Sequence, residues 1–145
     1  IVCNSPNSRL GNHMKVKVLK DFHDVFVGDP DCFAFKHLPC SLKELLEYPI
    51  LMLSSKSTTS EYLYHAFAAH DLKLLPEVEL NSNDLLMDLA RIGLGIACVP
   101  DYMLDPEDSL KPIPLTEQLP SRQLILVQHD NLPVSQAAER FLEMF

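Results

Sequence analysis

Glycine is scarce, four in 145 residues. The chain accordingly has no Gly-rich dinucleotide fingerprint and no phosphate loop with a Gly-Lys pair. It also lacks a GxSxG elbow to present a serine nucleophile. The four cysteines, Cys3, Cys32, Cys40 and Cys98, form no CxxC pair and match no zinc spacing. They read as free thiols of a reducing compartment, the cytoplasm, with two disulfides in an exported protein as the alternative. None of the six histidines has metal-ligand spacing, His65 and His70 being five apart rather than the four that stack two ligands on one helical face. No metal and no cofactor is expected. Positive charge is in deficit, with 12 Lys+Arg against 20 Asp+Glu and a net charge of −8. The cations are scattered, and each phosphate contact needs one, so this segment is not a nucleic-acid surface. No apolar run approaches the roughly 20 residues of a membrane span.

What the chain does have is a hydrophobic fraction of 47% beside 22% charged residues, the composition of a globular core-forming domain. Lys15–Lys20 alternates charged and apolar residues, as a half-buried strand does. Val25–Val27 is a short strand ended by Gly28-Asp29-Pro30, and residues 31–40 read as a loop. Ser41-Leu42-Lys43-Glu44 forms a capping box that predicts a short helix over 42–47. Ile50–Leu53 and Ile96–Val99 are continuous apolar runs, the pattern of strands buried on both faces. The first leads into Ser54–Ser60 and a helix to about Asp71, with Leu63, Ala66, Phe67 and His70 inward. Val78–Leu80 is a strand. Asn81–Asn83 then caps a helix with Leu85, Leu89 and Ile92 on one face, stopped by Gly93 and Gly95. Ile113–Leu115 reads as an edge strand and Leu124–Val127 as another strand. Val134, Ala137, Ala138, Phe141, Leu142 and Phe145 form a final helical stripe, capped at or beside Asn131 with Pro133 in its first turn. The chain opens at Ile1 inside strand-like sequence and closes inside this stripe, as a segment of a longer protein would.

Strands alternating with helices indicate an α/β fold with a mostly parallel sheet. Ligands of such sheets sit beyond the carboxyl ends of the strands. That rule selects Ser54–Thr59, Pro100-Asp101 and the Asn81–Asn83 turn. A helix start offers unpaired N–H groups and a positive dipole end, and Ser and Thr hydroxyls add neutral donors. The Ser/Thr cluster therefore reads either as plain capping or as a cup for a carboxylate, sulfate or phosphate. Asp84 and Asp101 read as helix-dipole partners rather than bases, and Cys98 as core.

Several segments resemble one family in order and spacing. YPILMLSSKSTTSEYLYHAF and NSNDLLMDLARIGLGIACVPDYML are similar to the second-lobe stretches of LysR-type transcriptional regulators. FVGDPDCFAFKHLPCSLKELLEYP resembles that family's crossing strand and short helix. IVCNSP and QLILVQHDNLPVSQAAERFLEMF resemble the strand closing the first lobe and the return to it. The resemblance implies a two-lobe, periplasmic-binding-protein-like effector domain of a bacterial regulator. The second lobe is expected to be complete over 22–126, with 1–21 and the helix of 127–145 belonging to a partial first lobe. It implies a small polar or anionic effector, an organic acid or inorganic anion, held between lobes. By the resemblance its contacts are Ser54, Ser57, Thr58 and Thr59, the polar turn Asn81 and Asn83, the strand end Val99 and Pro100, and Phe26 and Val27 near the hinge. It also implies a homodimer or tetramer that meets DNA only through an N-terminal domain outside this chain, and no catalysis. Three rivals remain: a solute-binding protein for a small anion, an α/β enzyme using a serine of the cluster, and a domain used only for dimerisation.

Overall fold

A computed structural model describes residues 1–131 and 133–145. In chain order its strands and helices are β1 (Val2–Ser5), β2 (Met14–Phe22), β3 (Asp24–Gly28), α1 (Leu42–Leu45), β4 (Ile50–Leu53), α2 (Thr58–Ala68), β5 (Val78–Leu80), α3 (Asn83–Arg91), β6 (Ile96–Pro100), β7 (Lys111–Pro112), β8 (Arg122–His129) and α4 (Gln136–Leu142). The chain forms two compact units, one of Ile1–Asp21 with Arg122–Phe145 and one of Phe22–Ser121.

The second unit is a five-stranded sheet in the order β5-β4-β6-β3-β7. The two apolar runs became its central strands. β4 runs parallel to β5 and to β6, and β3 lies antiparallel to β6 with Phe26 opposite Cys98. Strand alternation sends Phe26, Ile50, Met52, Ile96 and Cys98 to one face, where Leu42 and Leu45 of α1 and Leu63 and Phe67 of α2 cover them. Val27, Leu51, Ala97 and Val99 point the other way, onto Leu86, Met87 and Ala90 of α3. Each Val, Leu, Ile, Phe or Met among them removed from water contributes about 1.5–3 kcal/mol. The result is a three-layer unit with helices on both faces of a mixed sheet, not the mostly parallel one expected: β4 pairs in parallel with β5 and β6, while β3 runs antiparallel to β6 and β7. Two glycines are needed where they stand. Gly93 ends α3 at φ +76°, and a Cβ on Gly95 would lie 2.7 Å from the Pro49 carbonyl oxygen, where the starts of β4 and β6 come together.

The first unit has a three-stranded sheet in the order β1-β8-β2, with β1 antiparallel to β8, and the helix α4.

Several expectations need correction. Ser41 does cap α1, accepting from the Glu44 N–H at 3.1 Å, but Glu44 does not reach back. Its carboxylate takes the Lys36 N–H instead, and the Leu42 N–H goes to Glu117. In α2, Leu63 and Phe67 are buried as expected, whereas His70 is exposed, past the helix end at Ala68. The buried face of α3 is Leu86, Met87 and Ala90; Leu85 and Ile92 remain 45% and 75% exposed. Three leucines and an isoleucine in eight positions spread over more than one helical stripe, and sheet packing selected the other one. The edge strand is Lys111–Pro112 rather than 113–115: the Ile113 N–H still donates to the Phe26 carbonyl at 2.8 Å, but Leu115 has left β3 and bridges Cys40 instead. Ser135, not Asn131, caps α4. Val16 and Val18 of β2 are 52% and 48% exposed, not half of a buried alternation.

Candidate functional site

The connectivity of the second unit points to a candidate edge. From β4 the chain crosses through α2 to β5 on one side; from β5 it crosses through α3 to β6 on the other. The strand order therefore reverses direction at β4 and β6, and the carboxyl ends of those strands open a crevice. Register brings the ends level. Leu53 pairs with Leu80, and Leu51 with Ala97, so Ser54, Asn81 and Pro100 leave the sheet at one edge. The antiparallel β3 begins there too, Asp24 opposite Pro100.

The loop after β4 is a folded turn. Ser54 N–H donates to the Leu80 carbonyl at 2.7 Å, and Ser57 N–H to the Ser54 carbonyl at 2.8 Å. Ser57 is the N-cap of α2, its Oγ accepting from the Ser60 N–H at 3.1 Å. Ser60, fully buried, donates its hydroxyl to the Leu53 carbonyl and so ties α2 to the strand it follows. Ser54 and Thr58 are partly exposed, whereas Thr59 is buried. The Thr58 N–H is the first of the helix and has no acceptor within it.

The other expected residues fall into two groups. Asn81 is exposed at the end of β5 and Asn83 begins α3, with Ser82 as the cap accepting from Leu85 N–H at 3.4 Å. The Asn83 Oδ1 is buried without a hydrogen-bond partner among the described residues. Pro100 is buried at the strand end. Phe26, Val27 and Val99, by contrast, are core residues with no exposed surface. They lie inward of the edge on strands covered by helices on both faces, so the edge position of β3 belongs to Asp24 and His23. Those two sit at one end of a groove of about 450 Å³ that Ile113, Leu115 and Glu117 also line. His23 and Asp101 lock the start of β3 to the end of β6. Asp101 N–H donates to the His23 carbonyl at 2.8 Å, and His23 N–H to Asp101 Oδ2 at 3.1 Å.

Glu79, in the middle of β5, carries no sequence signal of its own. Its Oε2 accepts from the Ser55 N–H at 3.3 Å and its Oε1 from the Tyr64 hydroxyl at 3.2 Å. Burial, and then this carboxylate, pushes the Tyr64 phenol above its ordinary value. Only the pairing of Glu79 with Met52, which puts it on the α2 face, reveals the contact.

Two helix starts lie at the edge where the strand order reverses, the place where ligands of open α/β sheets sit, and comparison with known proteins gives the family. The family described as LysR substrate binding domain matches residues 4–145. The chain belongs to the LysR substrate-binding domain family. No curated protein sequence matches it. Among solved structures, this LysR domain is similar to the regulatory domain of CcmR from Synechocystis PCC6803 in complex with 2-PG, with TM-score 0.79 and 15% identity over 99% of this chain and 69% of that one. It is similar to the effector binding domain of QuiR in complex with shikimate, with TM-score 0.77 and 15% identity over 98% of this chain and 68% of that one. The cofactor-binding domain of the Cbl transcriptional regulator gives TM-score 0.76 and 17% identity over 99% of this chain and 64% of that one. The LysR domain thus spans about two thirds of the length of these structures and shares their periplasmic-binding-protein-like α/β fold. No helix among its described residues is long and apolar enough to cross a membrane.

Proposed function

We propose that this LysR domain is the sensor of a bacterial, cytoplasmic transcriptional regulator. It binds a small polar or anionic metabolite at the carboxyl edge of β4 and β6 and passes a conformational change to a DNA-binding domain outside this chain. One observation carries the reading: the first turn of α2 presents the Thr58 N–H, with the partly exposed Ser54, Ser57 and Thr58 around it, where the strand order reverses. An anion there meets an N–H without an intrahelical acceptor, a helix dipole and hydroxyl donors together. Asn81 and Asn83 add polar groups from the second helix start. The small ligands 2-PG and shikimate held by CcmR and QuiR agree with this size of ligand. A ligand shifts such a domain only by its differential affinity for the two states.

The reading as a binder rather than an enzyme has support from the hydroxyls themselves. The Ser57 hydroxyl caps the Ser60 N–H and donates to the Ser60 hydroxyl, which itself donates to the Leu53 carbonyl, so both are engaged in structural contacts. A nucleophilic serine needs a base within hydrogen-bond reach. The Cys40 thiol is pushed up by burial and then by Glu44, away from reactive thiolate.

The test is a thermal-shift screen of the chain against small carboxylates, sulfate and phosphate, beside Thr58→Val and the double variant Ser57→Ala with Thr58→Ala. A ligand that binds only the folded state raises the melting temperature. The rise is expected in the parent and should shrink in Thr58→Val and vanish in the double variant. An undiminished rise in the double variant puts the ligand elsewhere. Ser57→Ala also removes a cap worth about 1 kcal/mol, so each variant is compared with its own ligand-free melt.

A further inference from the structure

The donors after β4 are not all open to a ligand. Glu79 already holds the Ser55 N–H, and Ser57 holds the Ser60 N–H. Tyr64, one turn and a half into α2, fixes the other oxygen of Glu79. A carboxylate of the chain itself therefore stands where a second anionic oxygen of a ligand would otherwise bond the turn. The surroundings reinforce its charge. Glu61 lies in the first turn of α2, Asp84 in the first turn of α3 and Asp101 at the end of β6, with Lys56 the cation in the turn itself and His23 beside Asp101. The helix starts attract one negative charge, and the acidic rim opposes each further one.

We infer that Glu79 sets the charge class of the effector, so that the site takes a monoanion, a carboxylate on a hydroxyl-bearing body, and rejects dianions such as sulfate and hydrogen phosphate. This rests on the function proposed above. Coulomb repulsion scales with the charge of the ligand, so removing the Glu79 charge relieves a dianion about twice as much, in free energy, as a monoanion.

Amide NMR titration of the 145-residue chain with lactate and, separately, inorganic sulfate reads the Thr58 and Ser55 N–H groups directly. Glu79→Gln keeps an acceptor for Ser55 and the shape of the side chain. In the parent, lactate is expected to move the Thr58 resonance at lower concentration than sulfate. In Glu79→Gln, sulfate should bind about fourfold tighter and lactate about twofold. Tyr64→Phe removes the anchor but leaves the charge, and should keep the parent's order of preference. Equal strengthening of both anions in Glu79→Gln, or none, overturns the role of Glu79 while leaving the site in place. Failure of both anions to move Thr58 in all three proteins overturns the site itself, and the inference with it.

Discussion

Arg91 is paired with two carboxylates, Asp108 and Asp88. The guanidinium donates from Nε at 3.1 Å and Nη2 at 2.7 Å to Asp108, and from Nη1 at 2.6 Å to Asp88. The hydrogen bonds from Arg91 hold the Asp108 carboxyl below its ordinary value of 3.8, against the opposing effect of burial. A depressed folded-state value means the contribution to stability is full above the ordinary carboxylate value and fades as pH falls through the lowered one. The arginine is 38% exposed on its side chain, so solvent screening keeps the pair near 1 kcal/mol or less. Asp108→Asn should therefore lower the melting temperature by a few degrees at about pH 7 and by progressively less toward about pH 2. A constant gap across that range would show that the charge is not what matters. Single residues also mark what the sequence could tell. The Ser/Thr cluster was visible because six hydroxyls in seven positions exceed one cap. Glu79 was not, since an acid in Val78-Glu79-Leu80 looks like any solvated strand residue until register places Met52 beside it.

Among the elements, the central strands and α2 were legible for a physical reason: a short apolar run buried on both faces needs no partner to be recognised, and a Ser cap announces the next helix. The face of α3 was not legible. Apolar residues at 85, 86, 89 and 92 satisfy a helix period in more than one way, and periodicity does not distinguish a core face from one that meets another molecule. Phe26, Val27 and Val99 show the same limit, since position along a strand decides between core and edge and the pattern alone does not give it. The close approach of the starts of β4 and β6 offers a test of this packing. Gly95→Ala puts a methyl 2.7 Å from a backbone oxygen that has no side chain to swing away. Overpacking of this kind costs about 1–3 kcal/mol, to be read as a lower urea midpoint with an unchanged slope. A variant as stable as the parent would mean that the two strand starts separate freely.

On the scale of the whole molecule, apolar surface is left unburied on particular elements. Leu85, Ile92 and Leu94 are 45%, 75% and 47% exposed on and just after α3. We propose them as the surface for the homodimer or tetramer that the family resemblance implies. Sedimentation velocity on Ile92→Asp should show a smaller species than the parent at equal concentration, while an unchanged distribution would place self-association on another surface. The first unit buries Ile125, Leu126 and Val127 but leaves Val16, Val18 and Phe141 about half exposed. The sensing role itself turns on where a ligand sits. The most direct measurement is a crystal structure of the chain with the strongest ligand of the thermal-shift screen. Its anionic group is expected about 3 Å from the Thr58 N–H, within reach of the Ser54 and Thr58 hydroxyls. A ligand lodged instead in the groove beside β3 and β7, with the first turn of α2 untouched, would contradict the assignment.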